Sequence, residues 1–264
     1  MDYQHIRFEV ADGVGTVTFN RPEKMNALTY DSYGEFEHLT RTVGENGDVK
    51  VVVVRGEGDH FCAGGDVHTI IGDLLPKGAH DHYRFTQMTG ACVRNLREMP
   101  QPAIAEIRGL AVGAGSVIAL ACDLRVMADD AKFGFIFTKV GLTGADMGAA
   151  YLLPRIVGLG HASELLLFGD TIKADECYRI GLANKVVSVG HLPGVVEDMA
   201  GRLAKGPHLA QEMTKRLMQR ELDQDFASAM ETETLGQALL LMGEDHEEFY
   251  RSWCDKRIAK WSGR

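Results

Sequence analysis

This chain encodes an α/β protein with a parallel sheet, and three features of its sequence say so. Short β-rich runs alternate with helix-length segments up to about residue 190. The run Val51-Val52-Val53-Val54 is β-branched throughout, as in a strand covered on both faces. Beyond about His191 the strand signal vanishes and only helical patterns remain. Alternation of this kind builds a parallel sheet flanked by helices.

In chain order, a strand enters at Val14 and continues through Val17-Thr18-Phe19, alternating apolar and polar. Residues 30–43 read as a helix, 51–54 as the second strand, and 83–98 as a helix. Strands follow at 103–107 and 124–128, with a short apolar helix at 114–122 between them. Phe133, Phe135 and Phe137 alternate as on one face of a strand. Helical runs occupy 149–156 and 162–168, and a last strand 186–189. Residues 195–205, 209–220, 226–242 and 247–261 read as helices, and Leu235, Ala238, Leu239 and Met242 form an apolar stripe at helical spacing. The chain therefore divides into a core, 1–190, and a helical region, 191–264.

With 264 residues, 45% of them hydrophobic and 25% charged, the chain has room for a substantial core. A net charge of −9 argues against a nucleic-acid partner, which calls for a basic face. Five cysteines, Cys62, Cys92, Cys122, Cys177 and Cys254, include no C-x-x-C pair, which fits reduced thiols in the cytoplasm. The longest apolar run, Val117 to Cys122, is too short to cross a bilayer, and the N-terminus carries no signal pattern. His80-Asp81-His82 is the nearest approach to a metal-binding group and reads as a solvent-facing loop, so no metal is expected.

Two segments carry the chemistry: Phe61-Cys62-Ala63-Gly64-Gly65-Asp66 and Arg108-Gly109-Leu110-Ala111-Val112-Gly113-Ala114-Gly115-Ser116. Each puts glycine and alanine where a strand hands over to a helix, so the backbone can approach a ligand closely. The first amides of a helix lack intrahelical partners and sit at its positive end. Two such amide sources aimed at one point make an oxyanion hole. No G-x-G-x-x-G or G-x-x-x-x-G-K-S/T pattern is present, which excludes the nucleotide-loop reading of Gly113-Ala114-Gly115.

These segments, with Asn20-Arg21-Pro22-Glu23-Lys24-Met25-Asn26-Ala27-Leu28 before them and Leu153-Pro154-Arg155-Ile156-Val157-Gly158 and Gly181 to Val187 after them, resemble the crotonase (enoyl-CoA hydratase/isomerase) superfamily in order and spacing. The resemblance runs over nearly the whole chain. It implies a spiral of ββα repeats with a C-terminal helical trimerisation region at 191–264. It implies acyl-CoA thioester chemistry through an oxyanion held by the amides of Gly65 and Ala114. It further implies a homotrimer or a dimer of trimers, and no cofactor beyond the coenzyme A of the substrate. By motif position Ala27 and Ala63 meet the adenine end, Lys24 a CoA phosphate, and Lys256 or Lys260 a neighbouring subunit's ligand. Asp66, beside the first oxyanion glycine, is expected among the substrate-binding residues, although the family's usual use of that position is structural.

The family's hydratases use two glutamates, which by position would fall at Val117 and Phe137. Between Glu106 and Glu164 this chain has no glutamate. Val117 and Phe137 instead give the acyl pocket an apolar lining suited to a bulky or cyclic acyl group. Of the acids in that interval, Asp123, Asp129, Asp130 and Asp146, elimination leaves Asp146. Two roles fit Asp146: acid/base catalysis with its pKa raised by an apolar pocket, or capping of the helix that follows. His68, Thr143 and Tyr151 are weaker candidates. The expected function is acyl-CoA transformation by hydration or isomerisation, with hydrolysis or non-catalytic acyl-CoA binding as alternatives.

Overall fold

The computed structural model describes residues 3–264. β1 (Ile6–Ala11) and β2 (Val14–Phe19) form an antiparallel hairpin around Asp12-Gly13, both with positive φ, as a two-residue hairpin turn requires. A 3-10 turn at Pro22–Lys24 leads to α1 (Tyr30–Thr42), whose first amides are capped reciprocally by Thr29 and Ser32. Next come β3 (Val51–Gly56), a π-helical turn at Val67–Ile71, α2 (Gly72–Leu74) and α3 (Ala79–Glu98). Then follow β4 (Ala103–Ile107), β5 (Leu110–Val112), α4 (Ala114–Ala121), β6 (Leu124–Ala128), β7 (Lys132–Gly134) and α5 (Ala149–Phe168). β8 (Thr171–Lys173), α6 (Ala174–Arg179) and β9 (Lys185–Val187) complete the strand-bearing part. α7 (Leu192–Ala204), α8 (His208–Glu221), α9 (Phe226–Leu241) and α10 (Glu244–Asp255) end the chain.

The larger sheet runs β1-β2-β3-β4-β6-β9 and is parallel from β2 onward, with Val52 opposite Ala103 and Ile104 opposite Leu124. The smaller sheet runs β5-β7-β8, and single bridges extend its edge, pairing Cys62 with Ala111 and Leu28 with Gly65. Each turn of chain thus gives a strand to the larger sheet, a short strand or bridge to the smaller one, and then a helix. This is the expected spiral of ββα units.

The β-branched run explains itself here. Val52 and Val54 face the core shared with α1, α3, α4 and α5. Val51 and Val53 face the opposite side, where Leu192, Val196 and Ala200 of α7 cover them. The first helix beyond residue 190 therefore closes the sheet's second face. α4 is buried at every position, as a helix apolar all round must be.

Several expectations shift. β1 was not anticipated, because only Ile6 of its apolar residues is buried. β5, β7 and β8 span three residues each, too few for a periodic signal. The Phe133-Phe135-Phe137 strand ends at Gly134, where pairing with the short β5 and β8 runs out, and Phe137 lies in the 3-10 turn Ile136–Val140. The last strand stops at Val187, and Val189–His191 is a 3-10 turn. The two runs at 149–168 form one helix broken at Gly158, whose φ of 79° and ψ of 158° are not helical. The final helix stops at Asp255, where Lys256 turns left-handed with φ 54°.

Candidate active site

The two glycine turns lie side by side as a short parallel ladder. The Cys62 N–H donates to Leu110 O at 2.9 Å and the Val112 N–H to Cys62 O at 3.0 Å. Because the ladder is parallel, both chains leave it at the same end. Gly64 (φ 89°) and Gly113 (φ 56°, ψ −126°) then turn in conformations that side chains resist. The approach is close: a Cβ on Gly64 would stand 3.0 Å from Val112 O and 3.4 Å from the Ala114 nitrogen, and one on Gly115 only 2.4 Å from Cys62 O.

The turns leave two amides free. At the Leu28–Gly65 bridge, Leu28 N–H donates to Gly64 O and Asp66 N–H to Leu28 O, each at 2.8 Å, so Gly65's own N–H faces the other way. Ala114 opens α4, where Gly113 provides no side-chain cap. Neither amide has a hydrogen-bond acceptor among the described residues. Unpaired amides at neighbouring turns are donors waiting for an oxygen.

The loop 20–28 is strapped to the first turn. Asn26, 1% exposed, donates to Glu57 O at 2.9 Å and His60 O at 2.7 Å, and accepts the Arg21 N–H at 2.9 Å. Ala63 N–H donates to Met25 O at 3.0 Å, which ties the loop to the first turn; Ala27 and Ala63 are both half-buried. Arg21 binds Ala27 O at 2.6 Å and the Asp66 carboxylate at 3.3 Å. Asp66 also accepts the N–H groups of His68 and Thr69, and the Thr69 amide, then Arg21, hold it below its ordinary carboxylate value. Its carboxylate is thus engaged in holding the loop and the following turn. Lys24 is exposed at the rim.

Val117 lies one turn into α4 and is fully buried, and Phe137 is 8% exposed. Asp123 accepts the Ala103 N–H at 2.7 Å and pairs with the buried Lys215 at 2.9 Å, so it ties α8 to the sheet. Asp129 and Asp130 are exposed. Asp146 is half-buried, and burial raises its carboxyl above the ordinary value despite the Met147 N–H at 2.9 Å. It does not cap α5: that position belongs to Gly148, with no side-chain cap. Its charge is felt by the phenol of Tyr33, which burial, then Cys62, Cys92 and Asp146, raise well above the ordinary value. Tyr33 Oη is the atom nearest to where a Gly65 Cβ would stand, at 3.7 Å. Tyr33 thus packs against the first glycine turn. Sequence reading missed Tyr33, which looks like any apolar-face residue of α1.

Thr143 Oγ1 accepts the Ala145 N–H at 3.1 Å and shapes the Asp146 loop. A cleft of about 560 Å³ opens beside that loop, lined in part by Arg94, Arg97, Met147, Gly148 and Tyr151. A larger concavity of about 1080 Å³, between α7 and the sheet, touches none of these site residues. His68, His80 and His82 are exposed, and no three metal-ligating side chains converge among the described residues. Lys256 terminates α10, and the Lys260 N–H donates to Glu248 at 2.7 Å.

A family profile described as enoyl-CoA hydratase/isomerase matches residues 9–264. The chain is 48% identical to a putative enoyl-CoA hydratase from Streptomyces coelicolor A3(2), whose crystal structure superposes with a TM-score of 0.97 over 100% of this chain and 96% of that one. It is 33% identical to the crotonyl-CoA hydratase of Syntrophomonas wolfei, over 99% of each chain. It is 27% identical to the 1,2-epoxyphenylacetyl-CoA isomerase of Escherichia coli K12, again over 99% of each. With its crotonase fold, the chain is an enzyme of the enoyl-CoA hydratase/isomerase family.

Proposed function

We propose that this enzyme moves a proton on the acyl chain of a bulky or cyclic acyl-CoA, with Asp146 as the single acid/base. The observation that carries the reading is the pair of unpaired amides, Gly65 and Ala114, at neighbouring ends of a parallel ladder. In this reading the two N–H groups accept charge on the thioester oxygen as an enolate forms. Asp146 takes a proton from one carbon and returns it to another, which shifts a double bond without net change of mass. The raised carboxyl suits both halves of that cycle. Both carboxylates that water addition uses in the family's hydratases are replaced, by Val117 and Phe137. Phe137, the less buried of the two, favours a hydrocarbon ring or long chain. Lys24, Ala27 and Ala63 meet the coenzyme A portion, and Asp66 holds the loop that presents them. The chemistry asks for no cofactor beyond coenzyme A, and the free cysteines suit a reducing cytoplasm.

The test is a panel of linear, aromatic and cyclic enoyl-CoAs in D₂O and in ¹⁸O-water, read by mass and NMR. A shifted double bond carrying deuterium, with no ¹⁸O, is expected. ¹⁸O in a hydroxyacyl-CoA would replace the reading with hydration, and ¹⁸O in a freed acid with hydrolysis. Tight acyl-CoA binding with no change at all would make the protein a binder. Asp146→Asn should lower turnover by about two decades or more while acyl-CoA affinity persists; unchanged turnover removes Asp146 from the mechanism.

A further inference from the structure

Arg97 of α3 is half-buried and lines the cleft of about 560 Å³ beside the Asp146 loop. The other arginines that are not exposed, Arg21, Arg55, Arg108 and Arg125, each donate to a protein oxygen. Arg97 makes no hydrogen bond or ion pair among the described residues, although burial, opposed by Asp123, draws its guanidinium below the ordinary value. A guanidinium carries five N–H donors in a planar fork, and stripping water from it is costly unless an acceptor takes the water's place. A second donor stands in the same wall: Gln219 lines the cleft, and its side-chain nitrogen is buried without a partner. The charge behind this wall is positive. Burial lowers Arg125 and Lys215 as well, Arg97 adds to that at both, and Asp123 is the one carboxylate that opposes it at all three. Arg94, one turn earlier in α3, brings another guanidinium to the lining, whose only acid is Glu98.

We propose that this cleft binds a carboxylate at the far end of the acyl group, gripped by the Arg97 fork with Arg94 and the Gln219 amide beside it. Met147 and Gly148, directly after Asp146, form part of the wall, so an acyl chain that reaches Asp146 ends beside these donors. The substrate class narrows to acyl-CoAs with a second carboxylate: a hydrocarbon middle, as Phe137 favours, and an anionic end. Arginine suits that end because its fork matches both carboxylate oxygens. The inference rests on the reading that Asp146 faces the acyl group.

Calorimetry compares acyl-CoAs of equal carbon number with and without the second carboxylate: glutaryl with valeryl, adipoyl with hexanoyl, suberoyl with octanoyl. The wild-type protein should bind one dicarboxylyl-CoA about tenfold or more tightly than its uncharged counterpart, the worth of a charged hydrogen bond. Arg97→Gln should bring that ratio close to one while leaving the affinity for the uncharged chain as it was. If this variant melts below the assay temperature, Arg97→Lys is read in its place; it keeps the charge, loses the fork and should shrink the ratio severalfold. A wild-type ratio near one at every length, or a ratio that survives the substitution unchanged, overturns the inference. So does free adipate or inorganic phosphate bound by the wild type and not by the variant while the CoA ratio stays near one, which would make the cleft a site for a separate anion. The Asp146 reading fails separately: full turnover by Asp146→Asn removes it even where the ratio holds.

Discussion

Asp146 is held where burial opposes its charge, and that arrangement affects stability as well as chemistry. A carboxyl raised in the folded state binds its proton more tightly there than in the unfolded chain. The stability it contributes is fully present below the ordinary value of 3.8 and is lost as pH rises through its folded value. Asparagine at this position carries no charge to desolvate. Asp146→Asn should therefore melt at a higher temperature than the wild type at pH 7, and the gap should close as pH falls below 3.8. Melting curves across that range check it; a variant less stable at every pH would contradict the burial. Asp146 was legible in the sequence only by elimination. Tyr33 was not legible at all, since its meaning depends on Gly65, which is remote in sequence and adjacent in space. The glycines were legible because their requirement is local: a turn that needs positive φ announces itself.

Among elements, the pairing of the two turns is the controlling contact. A methyl group at Gly115 would press on Cys62 O at 2.4 Å, a backbone atom that cannot swing aside. Gly115→Ala should therefore destabilise the fold by about 1–3 kcal/mol through overpacking. It should also push α4 from its neighbour, lowering kcat by more than the stability loss would suggest. Urea unfolding and steady-state kinetics on the same preparation separate the two effects, and wild-type kcat in a destabilised variant would deny the turn its role. Long elements were readable because α1, α3 and α8 carry several turns of pattern. The three-residue strands of the smaller sheet hold too few side chains to show a period, and they exist because the larger sheet brings their partners alongside.

At the scale of the molecule, the C-terminal helices present an apolar face that the chain itself does not cover. Leu235 is 62% exposed, Leu239 64%, Met242 85% and Trp253 70%. Large apolar side chains left exposed on neighbouring helices mark association surfaces, and self-association as a homotrimer or a dimer of trimers is the arrangement we propose for 191–264. Light scattering should then give three or six times the 28.9 kDa chain mass. Leu235→Glu combined with Leu239→Glu should give monomers with native circular dichroism, because neither side chain supports the fold of a single chain. A wild-type monomer would refute the trimer.

In the proposed mechanism the electrophile is main chain, and that sets how the enzyme would tolerate change. No codon substitution at Gly65 or Ala114 removes an N–H, short of one that introduces proline. A saturation mutational scan should accordingly find intolerance at the glycines that shape the turns, Gly64, Gly113 and Gly115, rather than at the donors themselves. On the same proposal, replacing Val117, Phe137 or Asp146 would leave the polarising amides in place and alter only which acyl group enters and where its proton goes.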